Sequence, residues 1–120
     1  MQRTLLIVDD HEGFRSLARA LLEHDGFDVI GEASDGRSAL TMARSLSPDV
    51  ILLDIALPDL DGFAVCDLLS SHGVASVVVL TSSRDASSYR RRMAGSAAAG
   101  FIPKSELSGT ALEALAGGTS

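Results

Sequence analysis

A five-stranded parallel α/β sheet with helices on both faces is the fold that this sequence predicts. Short β-rich runs recur near residues 4–8, 28–33, 49–53, 75–80 and 99–102, and each is followed by a stretch with helical spacing. The runs at 50–53 and 77–80 are almost wholly apolar, as strands covered on both faces are. Two runs also end on carboxylates: Asp9 and Asp10 close Leu5-Leu6-Ile7-Val8, and Asp54 closes Val50-Ile51-Leu52-Leu53.

After Asp10, Phe14, Leu17, Ala18, Leu21 and Leu22 fall at i, i+3, i+4, i+7 and i+8, one apolar stripe that Asp25-Gly26 ends. Asp35 caps the second helix, Ala39, Leu40, Ala43 and Leu46 form its buried face, and Pro48 stops it. Asp61-Gly62 introduces a third, with Phe63, Val65, Cys66 and Leu69 inward. The fourth stretch, from about Arg84 to Ala98, contains Ser87-Ser88 and Gly95 and has a thin apolar face of Tyr89, Met93 and Ala97. It is expected to be the most mobile element, and its Arg90-Arg91-Arg92 run reads as a solvated face. Ser105 is the expected cap of the last helix, whose apolar side is Leu107, Ala111, Leu112 and Leu115. Residues 1–116 then make one domain, and Gly117-Gly118-Thr119-Ser120 reads as a linker or a cut end.

Pro103 cannot donate a ladder hydrogen bond and so belongs on an edge or just past one. Right-handed crossovers favour the order 2-1-3-4-5, a doubly wound, flavodoxin-like arrangement. Its ligand crevice lies above strands 1 and 3, where the winding direction reverses. Both of those strands end in the aspartates. At 46% hydrophobic residues the chain can build a single core. A formal charge of −6, from 16 acidic and 10 basic residues, argues against non-specific binding to nucleic acid or to an anionic membrane. The lone Cys66 excludes an internal disulfide, and neither a leader peptide nor a membrane span is indicated, so a reducing cytoplasm is the expected setting.

Three carboxylates in one crevice repel each other unless a cation joins them. Strand 4 adds the Thr81 hydroxyl at the same rim, and strand 5 is followed by Lys104. Hard oxygen ligands in small number suit Mg²⁺, which keeps several waters and commonly shares a phosphate oxygen with one or two carboxylates. A phosphoryl group is therefore the expected guest. Asp35, Asp59 and Asp61 read as turn or capping residues, Cys66 as a small core side chain, and His24 and His72 as surface residues. His11, at the start of a helix, is expected to face solvent or to back the site without joining it.

Val8-Asp9-Asp10-His11, Leu53-Asp54-Ile55-Ala56-Leu57-Pro58-Asp59-Leu60-Asp61-Gly62, Leu80-Thr81-Ser82 and Gly100-Phe101-Ile102-Pro103-Lys104 stand in a telling order and spacing. Together they resemble the receiver domain of bacterial two-component response regulators, over essentially the whole chain. Asp-Asp-His followed by Phe14-Arg15 is most similar to receivers of the LuxR/NarL type, which usually precede a helix-turn-helix DNA-binding domain.

The resemblance implies that Asp54 takes a phosphoryl group from a phosphohistidine on a sensor histidine kinase, forming an aspartyl phosphate. It implies that Asp10 and Asp54 bind Mg²⁺ directly, Asp9 partly through water, and Ala56 by its backbone carbonyl. Thr81 and Lys104 would meet the phosphoryl oxygens, and Phe101 would enter the space that Thr81 leaves. Ala56 and Ser83, two residues after Asp54 and Thr81, would border the path of hydrolytic water, so that their small side chains tune the phosphoryl lifetime. The face of helix 4, strand 5 and helix 5 would carry the change to an output, expected to be transcription, with DNA reached only through a separate domain. A homodimer through helices 1 and 5 is the other use implied for these surfaces.

This sequence departs from the family pattern twice. Phe101 has neither hydroxyl nor ring nitrogen, so its switch would be one of packing alone. Ser105 stands where many relatives carry proline after the lysine and a cis bond between the two. A cis Lys104-Ser105 bond would cost about 2.5–4 kcal/mol, which leaves that geometry open. Three rivals are weighed against the receiver. A purely structural domain would not gather unpaired carboxylates at one rim. A module that only docks would normally have lost one of Asp9, Asp10, Asp54, Thr81 and Lys104, yet all are present. A Mg²⁺-dependent phosphohydrolase of the haloacid-dehalogenase type would carry an Asp-x-Asp signature and a larger body, which are missing. The expectation is a signalling switch that assists its own phosphorylation and dephosphorylation, not a metabolic enzyme.

Overall fold

Five parallel strands, β1 (Thr4–Val8), β2 (Asp28–Ala33), β3 (Val50–Asp54), β4 (Val77–Ser82) and β5 (Gly100–Pro103), stand in the predicted order β2-β1-β3-β4-β5. The computed structural model describes residues 2–117, so Gly118, Thr119 and Ser120 of the expected linker lie outside the described residues. Period-two alternation sorts the strand side chains between two layers. Leu6, Val8, Ile51, Leu53, Val78 and Leu80 pack against Ala39 and Ala43 of α2 (Gly36–Leu46) and Val65, Cys66 and Leu69 of α3 (Gly62–Ser71). Leu5, Ile7, Val50, Leu52, Val79 and Ile102 pack against Ala18 and Leu22 of α1 (Glu12–His24) and Leu112 and Ala116 of α5 (Gly109–Ala116).

Asp9, Asp54 and Thr81 follow two residues after Ile7, Leu52 and Val79, in step with the second set. The alternation that packs α1 and α5 therefore carries polar groups to the carboxyl edge of the sheet on that side. The strands also run further than their apolar cores: Asp54 pairs with Thr81, and Thr81 with Ile102, inside the ladder and not on a loose rim. Pro103 ends β5 on the sheet edge, opposite Ser82.

The helices correct several sequence expectations. In α1 the buried line runs through Ala18 and Leu22, and Leu17 stands beside it at 65% exposure. Leu46, in the last turn of α2, is exposed as well. The fourth helical stretch contracts to a 3-10 turn over Ala86–Tyr89 followed by α4 (Arg90–Ala94). Serines compete for backbone hydrogen bonds there, Asp85 caps the turn through the Ser87 N–H at 3.1 Å, and the helix ends at Gly95, so that Ala97 is exposed. Ser105 does not cap α5. Lys104–Glu106 form a 3-10 turn, Leu107 is extended, and the Ser108 hydroxyl accepts the Ala111 N–H at 3.0 Å. Among the described residues every peptide bond is trans, Lys104-Ser105 included, and no helix is long and apolar enough to cross a membrane.

Candidate functional site

The turn after β1 is braced from below. Asp9 N–H donates to the Ala33 carbonyl of β2 at 3.0 Å, and the Asp9 carbonyl accepts Arg15 Nη1 at 2.6 Å. Arg15 Nε is held by Glu32 at 3.1 Å, and the other Glu32 oxygen takes Arg19 Nη1 at 2.7 Å. Hydrogen bonds from Arg19 and Arg15 keep the Glu32 carboxyl below the usual range against its partial burial. Two arginines of α1 and one glutamate of β2 thus fix where Asp9 and Asp10 begin.

Asp54 is placed from the other side by glycine. A Cβ at Gly62 would lie 2.7 Å from the Asp54 carbonyl oxygen and 2.8 Å from Ile55 Cα, so α3 can start here only without a side chain. Gly62 N–H donates to the Ile55 carbonyl at 2.8 Å, and Asp61 caps α3 through the Ala64 N–H at 2.9 Å. Asp59, expected as a turn or capping residue, caps α2 and not the α3 that follows it. Its Oδ1 accepts the Gly36 N–H at 2.8 Å and its Oδ2 the Arg37 N–H at 3.0 Å, while Asp35 takes the Ser38 N–H at 2.7 Å. These amides, Gly36 foremost, hold the Asp59 carboxyl below the usual range. Asp59→Ala should lower the melting temperature by roughly 5 °C, as a lost cap does, with divalent-cation affinity unchanged. Calorimetry reads both, and weakened cation binding would move Asp59 into the site.

At the centre, Asp9 is fully buried and Asp54 is 2% exposed, while Asp10 opens to solvent. Lys104 Nζ lies 2.6 Å from Asp9 Oδ2 and 3.5 Å from Asp54 Oδ2, above the Phe14 ring at 4.5 Å. The contact with Asp9 is a close ion pair that gives its buried Oδ2 a cationic partner. Asp54 Oδ1 accepts the Ala56 N–H at 3.3 Å. Burial, and after it the Asp9 charge, push the Asp54 carboxyl up to about 6, with Lys104 and the Ala56 N–H pulling the other way. Ala56 and Ser83 are both exposed.

His11 borders this cluster with its ring 69% exposed, as expected of a residue that faces solvent and backs the site. Its N–H donates to Asp9 Oδ1 at 2.8 Å, and its Nδ1 lies 3.2 Å from the same oxygen and 3.0 Å from Asp10 Oδ1. One atom each from Asp9, Asp10, His11 and Asp54 falls within 4.8 Å of all the others. Three carboxylates of hard oxygen set against one ammonium suit a divalent cation, which a single lysine does not replace.

Thr81 is the one predicted residue whose hydroxyl is engaged elsewhere. Fully buried, it donates to the Ile102 carbonyl at 2.7 Å. Phe101 is half-buried and stands in a row of rings, 5.6 Å from Tyr89, which is itself 6.0 Å from Phe63. Tyr89 Oη and Ser82 Oγ share a hydrogen bond of 3.2 Å. Within the arginine run Arg90 and Arg91 are solvated, whereas Arg92 covers the Phe63 ring at 4.2 Å and donates to Asp61 Oδ2 at 2.7 Å.

A family model described as the response regulator receiver domain matches residues 5–116. The virulence-factor transcription regulator BvgA of Bordetella pertussis is 41% identical over 106 residues, 88% of this chain and 51% of that protein. The nitrate/nitrite response regulator NarP of Escherichia coli is 36% identical over 115 residues, 95% of this chain and 54% of that protein. The chain thus spans about half the length of these relatives. Among solved structures, the NarL signal receiver domain of Mycobacterium tuberculosis matches with a TM-score of 0.86 at 30% identity, over 97% of this chain and 98% of that one. A LuxR-family two-component response regulator of Aurantimonas matches with a TM-score of 0.81 at 25% identity, over 88% and 76%.

Proposed function

The chain belongs to the response regulator receiver domain family, and from that premise we propose that it is a phosphoacceptor switch loaded on Asp54 by a sensor histidine kinase. The observation that carries this reading is a buried Asp54 carboxylate facing Lys104 among acidic oxygens whose charge calls for a cation. In the transfer an Asp54 oxygen bonds to phosphorus, the phosphorus–nitrogen bond of the phosphohistidine breaks, and its electron pair leaves with the imidazole. Asp9, Asp10, Asp54 and the Ala56 carbonyl would hold Mg²⁺, whose charge offsets that of the phosphoryl oxygens. Lys104, already between Asp9 and Asp54, bonds a phosphoryl oxygen with little movement.

Thr81 must leave the Ile102 carbonyl to reach the same group. It exchanges a neutral hydrogen bond of about 0.5–1.5 kcal/mol for a charge-assisted one of about 1.5–3 kcal/mol, a gain of about 1 kcal/mol. Inverting a population of roughly 1:99 takes about 5.5 kcal/mol, so Lys104 and the bound cation supply most of the bias. Phe101 and Tyr89, in ring contact in the opposite layer and tied to the strand next to Thr81 by the Tyr89–Ser82 hydrogen bond, would take up its shift through the backbone as a change of packing. The face of α4, β5 and α5 would then present that change to an output, transcription through a domain outside this chain. Exposed Ala56 and Ser83 leave water a path to the phosphoryl group and limit its lifetime.

Incubation with Mg²⁺ and acetyl phosphate, followed by intact mass measurement, should show a gain of one phosphoryl group. Chelation abolishes the gain, and fragmentation places it on Asp54. Turnover of phosphate esters without an adduct would indicate a hydrolase instead, and no reaction at all would indicate a module that works by docking alone.

A further inference from the structure

We propose that His11 Nδ1 is itself a ligand in the cation site, which therefore prefers divalent transition metals to Mg²⁺. The inference rests on the reading of the acidic cluster as a cation site. Asp9 divides its carboxylate between two neighbours: Oδ2 faces Lys104 at 2.6 Å, and Oδ1 faces His11, with the backbone N–H at 2.8 Å and Nδ1 at 3.2 Å. Nδ1 is also 3.0 Å from Asp10 Oδ1. These are hydrogen-bond distances as they stand, and they also match adjacent ligands of an octahedral ion, which with bonds of about 2.1 Å stand about 3 Å apart, so one metal could replace the contacts without moving the ring far. Lys104 brings one ammonium to Asp9 and Asp54, while one atom each from Asp9, Asp10, His11 and Asp54 lies within 4.8 Å of the others, a surplus of negative charge that a cation would answer.

The chain also frees the ring for this use. His11 is the N-cap of α1, with an extended backbone, yet its side chain makes no capping bond and turns to the carboxylates. The ring is 69% exposed, so it can exchange those contacts for a metal without leaving a buried group unpaired. Imidazole nitrogen is a softer donor than carboxylate and suits cobalt, nickel and zinc, whereas Mg²⁺ gains little from it. Carboxylates alone would leave selection to size and charge; adding His11 gives the site a chemical preference.

The test uses the full chain loaded with Mn²⁺ and pulsed electron paramagnetic resonance. A coupling from directly bound imidazole nitrogen should appear, persist in His24→Gln and His72→Gln, and vanish in His11→Ala and His11→Gln. Calorimetry should show Co²⁺ affinity falling about 10–100-fold in His11→Ala while Mg²⁺ affinity changes less than about threefold. Absence of the nitrogen coupling in a wild-type chain that binds Mg²⁺ overturns the proposal and leaves the cation reading intact. Equal losses for both metals overturn it too, and assign His11 to orienting Asp9 and Asp10. A wild-type chain that binds neither metal overturns both readings together.

Discussion

Asp54→Asn should take up no phosphoryl group and yet melt several degrees above the parent chain in metal-free buffer near neutral pH. The first half follows from the proposal that Asp54 is the phosphoacceptor. The second follows from the protons. Burial and the Asp9 charge raise the Asp54 carboxyl from its ordinary 3.8 to about 6. Between those values the folded chain binds a proton that the unfolded chain releases, so stability falls as pH rises through that window. Above about pH 6 the full penalty stands, of order 3 kcal/mol for a shift of this size. Asparagine carries no charge to confine, and relief of even about 2 kcal/mol would raise the melting temperature by roughly 5–10 °C. Added Mg²⁺ should close the gap by stabilising the parent more than the variant, because it binds the folded cluster of charge. Thermal denaturation between about pH 5 and 8, with and without Mg²⁺, gives the comparison. An asparagine variant no more stable than the parent would mean that Lys104 alone balances the site.

What was legible in the sequence was local. An apolar run that stops on a carboxylate states both a strand and its polar end, so Asp9, Asp10 and Asp54 could be placed together once strand order followed from Pro103 and the crossovers. Residues whose partners lie far along the chain gave no such sign. Asp59 resembles any turn aspartate, because the amides it caps, Gly36 and Arg37, meet it only when α2 packs beside the β3–α3 loop. Arg15 and Glu32 are unremarkable separately; together they fix the Asp9 carbonyl. Ser105 and Ser108 both precede an apolar run, and the 3-10 turn at Lys104 decides between them. For His11 the position was legible and the rotamer was not: its place at the start of α1 is local, but the direction of its ring depends on competition between a cap and two carboxylates. Thr81 illustrates the same limit, since a strand-end hydroxyl can face a guest or the neighbouring carbonyl, and here it bonds Ile102.

Lys104→Met should slow phosphoryl uptake and tighten Mg²⁺ binding, two effects of opposite sign from one lost charge. Methionine keeps an aliphatic stem over Phe14, so packing is largely retained. Without the ammonium, charge developing on the transferring phosphoryl group loses a fixed partner, a loss typically worth about 100–1,000-fold in rate. In the metal-free protein, however, that ammonium stands 2.6 Å from Asp9 Oδ2 and 3.5 Å from Asp54 Oδ2, occupying the attraction that a metal would use. Removing it withdraws a like charge from beside the metal, and affinity for Mg²⁺ should rise about tenfold. The same change leaves Asp9 buried beside Asp54 without a counter-ion, so the metal-free variant should lose about 3 kcal/mol of stability and regain most of it on adding Mg²⁺. Uptake of label from acetyl phosphate, metal titration by calorimetry and melting with and without Mg²⁺ separate the three effects. If Mg²⁺ affinity fell together with the rate, Lys104 would be organising the carboxylates for the metal and not competing with it. Opposed signs would identify the lysine as the resident cation of the metal-free site, holding the acidic oxygens together in place of a metal.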